Sequence, residues 1–291
     1  MNKRATGAGR LAVITDALRC PVCGSSVSVD EHPSLVCTNR HSFDIAKQGY
    51  VNMLSRSPAA SYSKELFLAR RRIITESALY TPLHQTMAEL LTSLFDGRAG
   101  LAADIGCGEG SHLNELRKIC GPSLKAAGLD IAKEGVRLAA RDYPDCAWIV
   151  GDLAASPFAD RQTTAILNIL SPSNYSEFRR MLAPGGKLIK VIPAAGYLKE
   201  LREAAHGEDG RSEYSNEETV GLFSRHFRLE ETIPLRYQAE IAQDMLKDLV
   251  TMTPLGWTGD RNKIEQFLDR EEPVITIELD VLIGTAEMQD F

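Results

Sequence analysis

The chain has 291 residues, of which 44% are hydrophobic and 25% are charged; this composition excludes a disordered chain and fits one large domain with an appendage, or two domains. Because the sequence has no run of eighteen apolar residues, and its first ten residues lack the apolar core of a secretory signal, we expect a cytoplasmic protein without a membrane span. The net charge of −6 is divided unevenly: residues 1–75 hold 11 lysines and arginines against 5 aspartates and glutamates, whereas the remainder holds 22 against 34. The basic first part favours contact with nucleic acid phosphates.

The first predicted elements are a small module and a pair of helices. Residues 1–18 form a polar arm that is predicted to contain a short helix, and residues 19–55 contain two short β-like runs, Ser26–Val29 and Ser34–Val36. Residues 56–98 are predicted to be helical because apolar residues recur at helical spacing on both sides of Pro82. These residues are Leu66, Ala69, Ile73 and Ile74, then Leu83, Met87, Leu90, Leu91 and Leu94.

From residue 99 onward, strand-like and helix-like segments alternate. Strands are predicted at Leu101–Ile105, Leu124–Asp130, Ala147–Val150, Ala165–Leu170, Lys187–Ile192, Arg228–Leu235 and Val274–Ile283, with helices that include His112–Cys120 and Lys263–Leu268. Such alternation is typical of a parallel α/β sheet covered on both faces. The predicted organisation is therefore a small module over residues 1–55, a helical linker over 56–98 and an α/β domain over 99–291.

Four residues of the small module have the spacing of metal ligands. Cys20 and Cys23 are separated by two residues, so one tight turn can direct both sulfurs at one ion, and Cys37 and His41, separated by three, can complete a tetrahedron. Three cysteines and one histidine form a common structural zinc set that leaves no position open for water. The alternative is free buried cysteines and a surface histidine, but the coincidence of four ligand-type residues at these spacings, in a protein without expected disulfides, favours one zinc ion. His32, in the connecting loop, is expected to be exposed.

A glycine-rich segment follows the first strand of the α/β domain. Gly106, Gly108 and Gly110 allow close backbone approach and unusual dihedral angles, and Cys107 between them is expected to pack within the loop. A glycine triplet alone is weak evidence, because dinucleotide-binding enzymes use a similar turn. A phosphate-binding P-loop is excluded, since no Lys-Ser or Lys-Thr pair follows the glycines.

Three aspartates favour S-adenosylmethionine as the ligand of this loop. Asp104 precedes the first glycine and can meet the amino group of the methionine part, and Asp130 ends the second strand and can accept both ribose hydroxyls. Asp152 follows the third strand and can lie beside the adenine amino group. A nicotinamide enzyme would share Asp130, but that alternative leaves the zinc motif unexplained.

The end of the fourth predicted strand should face the methyl group, because ligands lie at the carboxyl ends of parallel strands. The segment from Leu167 to Ser173 contains no cysteine, so it lacks the nucleophile of pyrimidine-C5 methyltransferases. Asn168 is four residues from Pro172, so the Asn-Pro-Pro-aromatic motif of exocyclic-amine methyltransferases is also missing. The remaining small polar residues could hold a ring nitrogen without covalent catalysis.

These motifs resemble those of the bacterial 23S rRNA guanine-N1 methyltransferases, the RlmA-type family that includes the macrolide and tylosin resistance branch. The resemblance covers nearly the whole chain. The segment from Phe43 to Leu54 is far more diagnostic than the glycine loop. The other matching segments are Cys20–Cys23, Cys37–His41, Ala69–Arg71, Tyr80–Leu83 and Asp104–Gly110.

This resemblance implies a seven-stranded class I (Rossmann-like) S-adenosylmethionine-dependent methyltransferase domain with a small N-terminal zinc-binding domain. It further implies that the zinc domain recognises a 23S rRNA hairpin near the peptide tunnel, and that the protein is a homodimer. Tyr80, Gly108 and Glu109 match family residues that contact the cofactor. Tyr197 stands where the family often has histidine, and is expected to be a further cofactor contact. No general base can be assigned from the sequence.

Several alternatives stay open. The chain could be a methyltransferase for a small molecule or a protein, with the zinc module as a docking element, or an inactive zinc-dependent RNA-binding protein; the basic first part and the intact aspartates argue against both. One or more of Arg70, Arg71 and Arg72 is expected to contact RNA phosphate, unless these arginines form ion pairs. The mixed aromatic, basic and amide residues of the segment from Phe43 to Leu54 could form an RNA surface: Phe43, Lys47, Gln48, Tyr50 and Asn52. Phe43, Tyr50 and Val51 could equally form the core of the module.

Overall fold

The computed structural model describes residues 2–31, 33–54, 62–98, 100–206, 215–271 and 273–286. The chain begins with helix α1 (Lys3–Ala12), whose N-cap Asn2 accepts a hydrogen bond from the Arg4 amide. Three short strands then form an antiparallel sheet, and a fourth follows a turn: β1 (Val27–Val29), β2 (Ser34–Cys37), β3 (Ser42–Asp44) and β4 (Val51–Asn52). The predicted arm helix and both β-like runs are confirmed.

Two helices connect this N-terminal part to the main sheet. Helix α2 (Lys64–Glu76) begins after Ser63, whose hydroxyl accepts a hydrogen bond from the Leu66 amide. Helix α3 (Thr81–Phe95) carries a proline in its first turn and ends at Asp96 in the left-handed conformation. The apolar residues at helical spacing are buried on one side of each helix, as amphipathic helices require: Ala69, Ile73 and Ile74 in α2, and Leu83, Met87 and Leu91 in α3.

Among the described residues, the main sheet has eight strands in the order β10-β11-β9-β8-β5-β6-β7-β4. Its seven strands from residue 101 onward are β5 (Leu101–Ile105), β6 (Lys125–Asp130), β7 (Ala147–Val150), β8 (Thr163–Ile169), β9 (Leu182–Pro193), β10 (Arg228–Glu240) and β11 (Val274–Thr285). Neighbours from β4 to β9 pair in parallel, whereas β11 pairs antiparallel with both β9 and β10. The seven predicted strands are confirmed as a Rossmann-like sheet.

Helices lie between most of these strands, as predicted. They are α4 (Ser111–Cys120), α5 (Lys133–Asp142), α6 (Tyr175–Met181), α7 (Lys199–His206), α8 (Glu217–His226), α9 (Leu246–Met252), α10 (Leu255–Thr258) and α11 (Arg261–Leu268). The last three form an insertion between β10 and β11, in which α9 packs against α2 and α11 against α7. Within the described part of the chain, no helix has the length and apolar character needed to cross a membrane.

Two hydrophobic clusters cover the two faces of the main sheet. Successive residues of a strand point to opposite faces, so that Ala102 belongs to one cluster and Ala103 to the other. The second cluster continues beyond the sheet into the N-terminal part, where it includes Leu11, Leu35 and Ile45. The small module is therefore not packed independently of the α/β domain.

The strand at the β4 edge comes from the segment that the sequence assigned to the zinc module. Val51 pairs with Ile149, and Asn52 pairs with Val150, both in parallel register with β7. The sheet therefore has one strand more than the seven that were predicted, because the N-terminal module extends it at this edge. The division of the chain at residue 55 stays a prediction.

Helix α1 is held against the turn before β4 by a close contact between two glycines. A Cβ atom on Gly7 would lie 2.1 Å from the carbonyl oxygen of Gly49, whereas a Cβ atom on Gly9, in the same helix, would meet nothing within 4 Å. We expect Gly7→Ala to lower the free energy of unfolding by about 1–3 kcal/mol, because the helix must move away from the turn.

The matched change Gly9→Ala should be neutral or should stabilise by up to about 1 kcal/mol, because alanine favours a helix. Denaturant unfolding followed by circular dichroism measures both values. Equal effects of the two substitutions would contradict the proposed tight contact.

Candidate functional site

The four predicted metal ligands converge in the N-terminal part. Their ligand atoms all lie within 4.8 Å of one another. The Nδ1 atom of His41 is 3.6 Å from the Cys20 sulfur and 3.4 Å from the Cys37 sulfur, and the sulfurs of Cys23 and Cys37 are 3.8 Å apart. Sulfurs bound at about 2.3 Å around a tetrahedral zinc ion lie roughly 3.8 Å apart, so the cluster has the size of a zinc site.

Local backbone structure explains this convergence. The amide of Gly24 donates to the carbonyl of Cys20, which closes the first turn, and Gly24 has a φ of +73°. Cys37 ends β2, and a turn through Arg40, with a φ of +64°, brings His41 back beside it. Three thiolates and one imidazole are a donor set suited to structural Zn²⁺. His32 lies outside the described residues.

The glycine loop has an unusual backbone throughout. Gly106, Gly108 and Gly110 have φ angles of +81°, +58° and +82°, a region that favours glycine. A Cβ atom on Gly110 would lie 2.3 Å from the ring of Trp148. Cys107 is buried, and its sulfur lies 2.9 Å from where a Cβ atom of Gly128 would be, so it packs within the loop as expected.

Three carboxylates and one guanidinium surround this loop. The side chains of Asp104 and Glu109 are almost fully buried. The Nε atom of Arg70 lies 3.7 Å from Oε1 of Glu109. The Arg70 Nε atom, Oδ1 of Asp104 and both carboxylate oxygens of Glu109 are buried and have no hydrogen-bond partner among the residues that the structure describes. Since buried polar groups are nearly always paired, these atoms indicate a polar ligand with both positive and negative groups.

The same surroundings shift the acidity of the site. Burial raises the pKa of Asp104 to about 7; Asp130 and Glu109 add to this rise, whereas Arg70 opposes it. Burial also raises the pKa of Glu109 and of Asp130. The site can therefore take up a positive charge, because a cation would relieve the repulsion among these carboxylates.

The other two predicted acids also have backbone contacts. Asp130 accepts hydrogen bonds from the amides of Gly108 and Ala132, both at 2.7 Å. It thereby ties the loop to the end of β6 and keeps further lone pairs for a ligand. Asp152, after β7, is exposed and accepts a hydrogen bond from the amide of Ala154 at 2.8 Å.

The two predicted tyrosines meet beside the loop. The hydroxyl groups of Tyr80 and Tyr197 are 2.6 Å apart, although 117 residues separate them in the sequence. Tyr80 packs edge-on against His112 of α4, which is hydrogen bonded to His84 at 2.8 Å. Burial lowers the pKa of His84 to about 4, so a neutral histidine pair joins α3 to the helix that follows the glycines.

Arg70 is the residue of this site that the sequence interpretation missed. At least one of the three consecutive arginines of α2 was predicted to contact RNA phosphate unless these arginines form ion pairs, and in the structure each of them lies beside an acidic side chain. Arg71 pairs with Asp142 at 2.6 Å. Arg72 forms ion pairs with Glu76, Asp244 and Asp248. Helical spacing could have indicated the role of Arg70, since it lies three residues after buried Phe67 and four before buried Ile74.

The loop after β8 lies directly against the glycine loop. Asn168 is buried and donates to the carbonyls of Ile105 and Pro172, at 3.2 and 2.9 Å. The Ser171 hydroxyl also donates to the Ile105 carbonyl at 2.9 Å. These contacts place small polar residues beside the first glycine, as the sequence predicted for the end of the fourth strand.

The family-specific segment from Phe43 to Leu54 has both a buried and an exposed side. Tyr50 and Val51 are buried, and Phe43 is half-buried. Lys47 is exposed. The choice between core and surface is therefore resolved residue by residue: Tyr50 and Val51 belong to the core, and Lys47 is available to a partner.

Comparison with known proteins matches both parts of the chain. A model of the RlmA N-terminal zinc ribbon matches residues 18–58, and a methyltransferase domain model matches residues 102–186. A Bacillus subtilis protein named "Putative 23S rRNA (guanine-N(1)-)-methyltransferase YxjB" is 40% identical over 91% of this chain and 96% of its own length. The "23S rRNA (guanine(748)-N(1))-methyltransferase" of Streptomyces fradiae is 32% identical over 85% of this chain and 88% of its own. Among solved structures, a Thiobacillus denitrificans methyltransferase in complex with S-adenosyl-L-homocysteine covers 78% of this chain and 100% of its own at 14% identity, with a TM-score of 0.47.

We expect Cys23→Ala to reduce the zinc content from about one ion per chain to almost none, because a structural site needs all four ligands. Elemental analysis of protein purified without chelator measures this content. Cys120→Ala is the matched control: this cysteine lies on α4, outside the cluster, and its removal should leave zinc in place.

The glycine loop follows β5 and is hydrogen bonded to Leu129 of β6, and it contains none of the four candidate zinc ligands. The Cys23 variant should therefore still bind S-adenosylhomocysteine with an affinity within a fewfold of the unmodified protein. Full zinc content in the Cys23 variant would contradict the assigned ligand set.

Proposed function

This chain belongs to the 23S rRNA (guanine-N1)-methyltransferase family, and we propose on that basis that it methylates N1 of one guanine in a hairpin loop of 23S rRNA near the peptide tunnel. The methyl donor is S-adenosylmethionine, and a structural zinc ion belongs to the N-terminal part. One observation carries the proposal: buried charged groups that lack hydrogen-bond partners among the described residues surround a glycine loop, and the module with the Cys₃His cluster adds β4 to the sheet that holds this loop.

The charges around the loop suit an amino acid ligand with a nucleoside attached. Asp104 and Glu109 would hold the ammonium group of the methionine part, and the Arg70 guanidinium would hold its carboxylate. Asp130 would accept the ribose hydroxyls, and Asp152 would lie beside the adenine amino group. The bound cofactor supplies an electrophilic methyl group on a sulfonium.

The remaining predicted contacts shape the pocket around these charges. Gly106, Gly108 and Gly110 let the backbone approach the ligand closely. Tyr80 and Tyr197, joined through their hydroxyl groups, would form the wall between α3 and the end of β9.

The protein's contribution to chemistry is mainly alignment. Guanine N1 carries a proton at neutral pH, so the site must hold the base with N1 directed at the methyl group while that proton leaves. Holding two reacting atoms in line supplies effective molarities on the order of 10⁵ M or more in favourable cases. A base in a hairpin loop leaves its stack at little cost, which favours such a target over a paired guanine.

The zinc module is the proposed RNA-binding element. Its segment from Ile45 to Leu54 presents Lys47 to solvent while Tyr50 and Val51 anchor it in the core. A homodimer would place two such modules around one hairpin. A 23S rRNA substrate also implies action in the cytoplasm.

The target is tested on 23S rRNA itself. Mass mapping of 23S rRNA from cells with and without the gene should find one guanine that loses a methyl group, and this methyl should block reverse transcription because N1 lies on the Watson–Crick edge. A methyl on another atom, or an unchanged rRNA, would overturn the proposal. Sedimentation with and without the hairpin so identified tests the homodimer.

Arg70 should bind the carboxylate of the cofactor, and Arg71 should not. We expect Arg70→Met to weaken S-adenosylhomocysteine binding about 10- to 100-fold, because a charge-assisted hydrogen bond is lost in a buried site. Methylthioadenosine lacks the amino acid part, and its affinity should stay nearly unchanged. Calorimetric titration with S-adenosylhomocysteine and with methylthioadenosine measures the two dissociation constants.

The matched control is Arg71→Met, one residue further along α2, whose partner is Asp142. This variant should bind both ligands as the unmodified protein does. If Arg70→Met weakened both ligands equally, the effect would be a general disturbance of the pocket.

Asp104 should make cofactor binding depend on pH. Its pKa is raised to about 7, so below pH 7 the carboxyl is largely protonated and must release a proton before it pairs with an ammonium group. Affinity for S-adenosylhomocysteine should therefore fall as the pH drops below about 7, by up to about tenfold per pH unit, and should be nearly level between pH 7 and 8.

Calorimetry in two buffers of different ionisation enthalpy measures the proton released. The Asp104→Asn variant should bind S-adenosylhomocysteine more weakly at pH 8. At pH 6 it should release far fewer protons per ligand bound. If the affinity of Asp104→Asn depended on pH as strongly as that of the unmodified protein, the released proton would come from another group.

A further inference from the structure

The loop after β8 has a strained start. Leu170, the residue that follows β8, has a φ of +51°, a conformation that costs a non-glycine residue of order 1–3 kcal/mol and persists only where surrounding contacts enforce it. The next residue, Ser171, lies against the glycine loop: a Cβ atom on Gly106 would be 2.7 Å from the Ser171 side chain. Strong contacts must therefore hold this loop at the cofactor site.

Lys190, on the neighbouring strand β9, supplies those contacts. It is 5% exposed and is the register partner of Asn168. Its ammonium donates to Oδ1 of Asn168 at 2.6 Å and to the Ser173 hydroxyl at 2.7 Å, and lies 3.4 Å from the Ser171 carbonyl. Among the described residues, none of these partners is a carboxylate.

The network reaches the cofactor loop through Asn168. The Asn168 amide nitrogen lies 3.2 Å from the Ile105 carbonyl, immediately before Gly106, 2.6 Å from the Ser171 hydroxyl and 2.9 Å from the Pro172 carbonyl, so its two hydrogens are shared among these three acceptors. A displacement of the Lys190 ammonium would therefore change the spacing between the loop after β8 and the glycine loop. That spacing separates the methyl acceptor from the methyl donor, since ligands lie at the carboxyl ends of the parallel strands.

We propose that Lys190 is a positioning residue for methyl transfer, which acts through Asn168, Ser171 and Ser173 to hold the loop after β8 at the distance from the glycine loop that the acceptor base needs. This inference rests on the proposed function. Burial lowers the pKa of Lys190 to about 8, so the amine is mainly charged at pH 7 and donates charge-assisted hydrogen bonds, which are stronger than neutral ones.

If Lys190 only stabilised the fold, its replacement would lower the melting temperature. If Lys190 positions the loop after β8, its replacement lowers turnover. A buried ammonium without a carboxylate partner is costly to the fold, and an apolar residue of similar volume is often tolerated at such a place. In a Lys190→Met variant, Asn168 Oδ1 would keep the donor from the Ser173 hydroxyl at 2.9 Å. The expected loss is therefore in turnover rather than in stability.

The test compares Lys190→Met with Lys187→Met at pH 7, on protein-free 23S rRNA transcribed in vitro. Lys187 lies on the same strand but pairs with Glu230 and Thr285 at the protein surface. We expect Lys190→Met to lower kcat about 10- to 100-fold, as small displacements of reacting groups do. The KM for S-adenosylmethionine and the Kd for S-adenosylhomocysteine should each change less than about threefold. Its melting temperature should stay within about 4 °C of that of the unmodified protein. Lys187→Met should keep the full kcat.

Each result has a distinct meaning. A kcat of Lys190→Met within twofold of the Lys187→Met value would overturn the inference, as would a loss that appears only in KM or in melting temperature. If the unmodified protein methylated no guanine N1 in the same assay, the proposed function would fail instead, independently of Lys190.

Discussion

The crowding of Asp104, Glu109 and Asp130 is the constraint on which the proposed cofactor site depends. Three carboxylates crowd around the glycine loop, and burial raises the pKa of each of them. Arg70 opposes the rise in the pKa of Asp104, and its Nε atom lies 3.7 Å from Oε1 of Glu109. The site is therefore built around a helix that precedes seven of the eight strands of the main sheet in sequence, and the position of α2 determines the charge balance of the pocket.

Contacts from elsewhere in the chain hold α2 in that position. Arg71 pairs with Asp142 at the end of α5, and Arg72 pairs with Asp244 and Asp248 in the insertion between β10 and β11. Exposed ion pairs contribute little individually, but here they accompany the packing of α9 on α2. Three adjacent arginines thus have three separate functions: one faces the cofactor site, and two fasten the helix to different parts of the domain.

The zinc module differs from an isolated zinc finger in how its folding energy is supplied. Metal binding contributes roughly 10–16 kcal/mol in zinc-finger peptides, whose chains cannot bury enough apolar surface by themselves. Here part of the module also enters a hydrophobic cluster shared with the main sheet, and β4 extends that sheet. A shared sheet fixes the module relative to the glycine loop, which a flexible tether would not do.

The sequence by itself determined the strands, most helices and the four candidate metal ligands that converge in the structure, because each depends on local spacing: apolar periodicity, cysteines two residues apart, glycines before a helix. It also determined which family the chain resembles. Only the tertiary structure decided the meeting of Tyr80 with Tyr197, the role of Arg70 and the network around Lys190, since these join residues up to 117 positions apart. Periodicity indicates that a side chain is buried, but not which charge it will face. The addition of β4 to the main sheet could not be predicted either, because a two-residue strand has no periodic pattern. Its pairing follows from the packing of the whole module against β7.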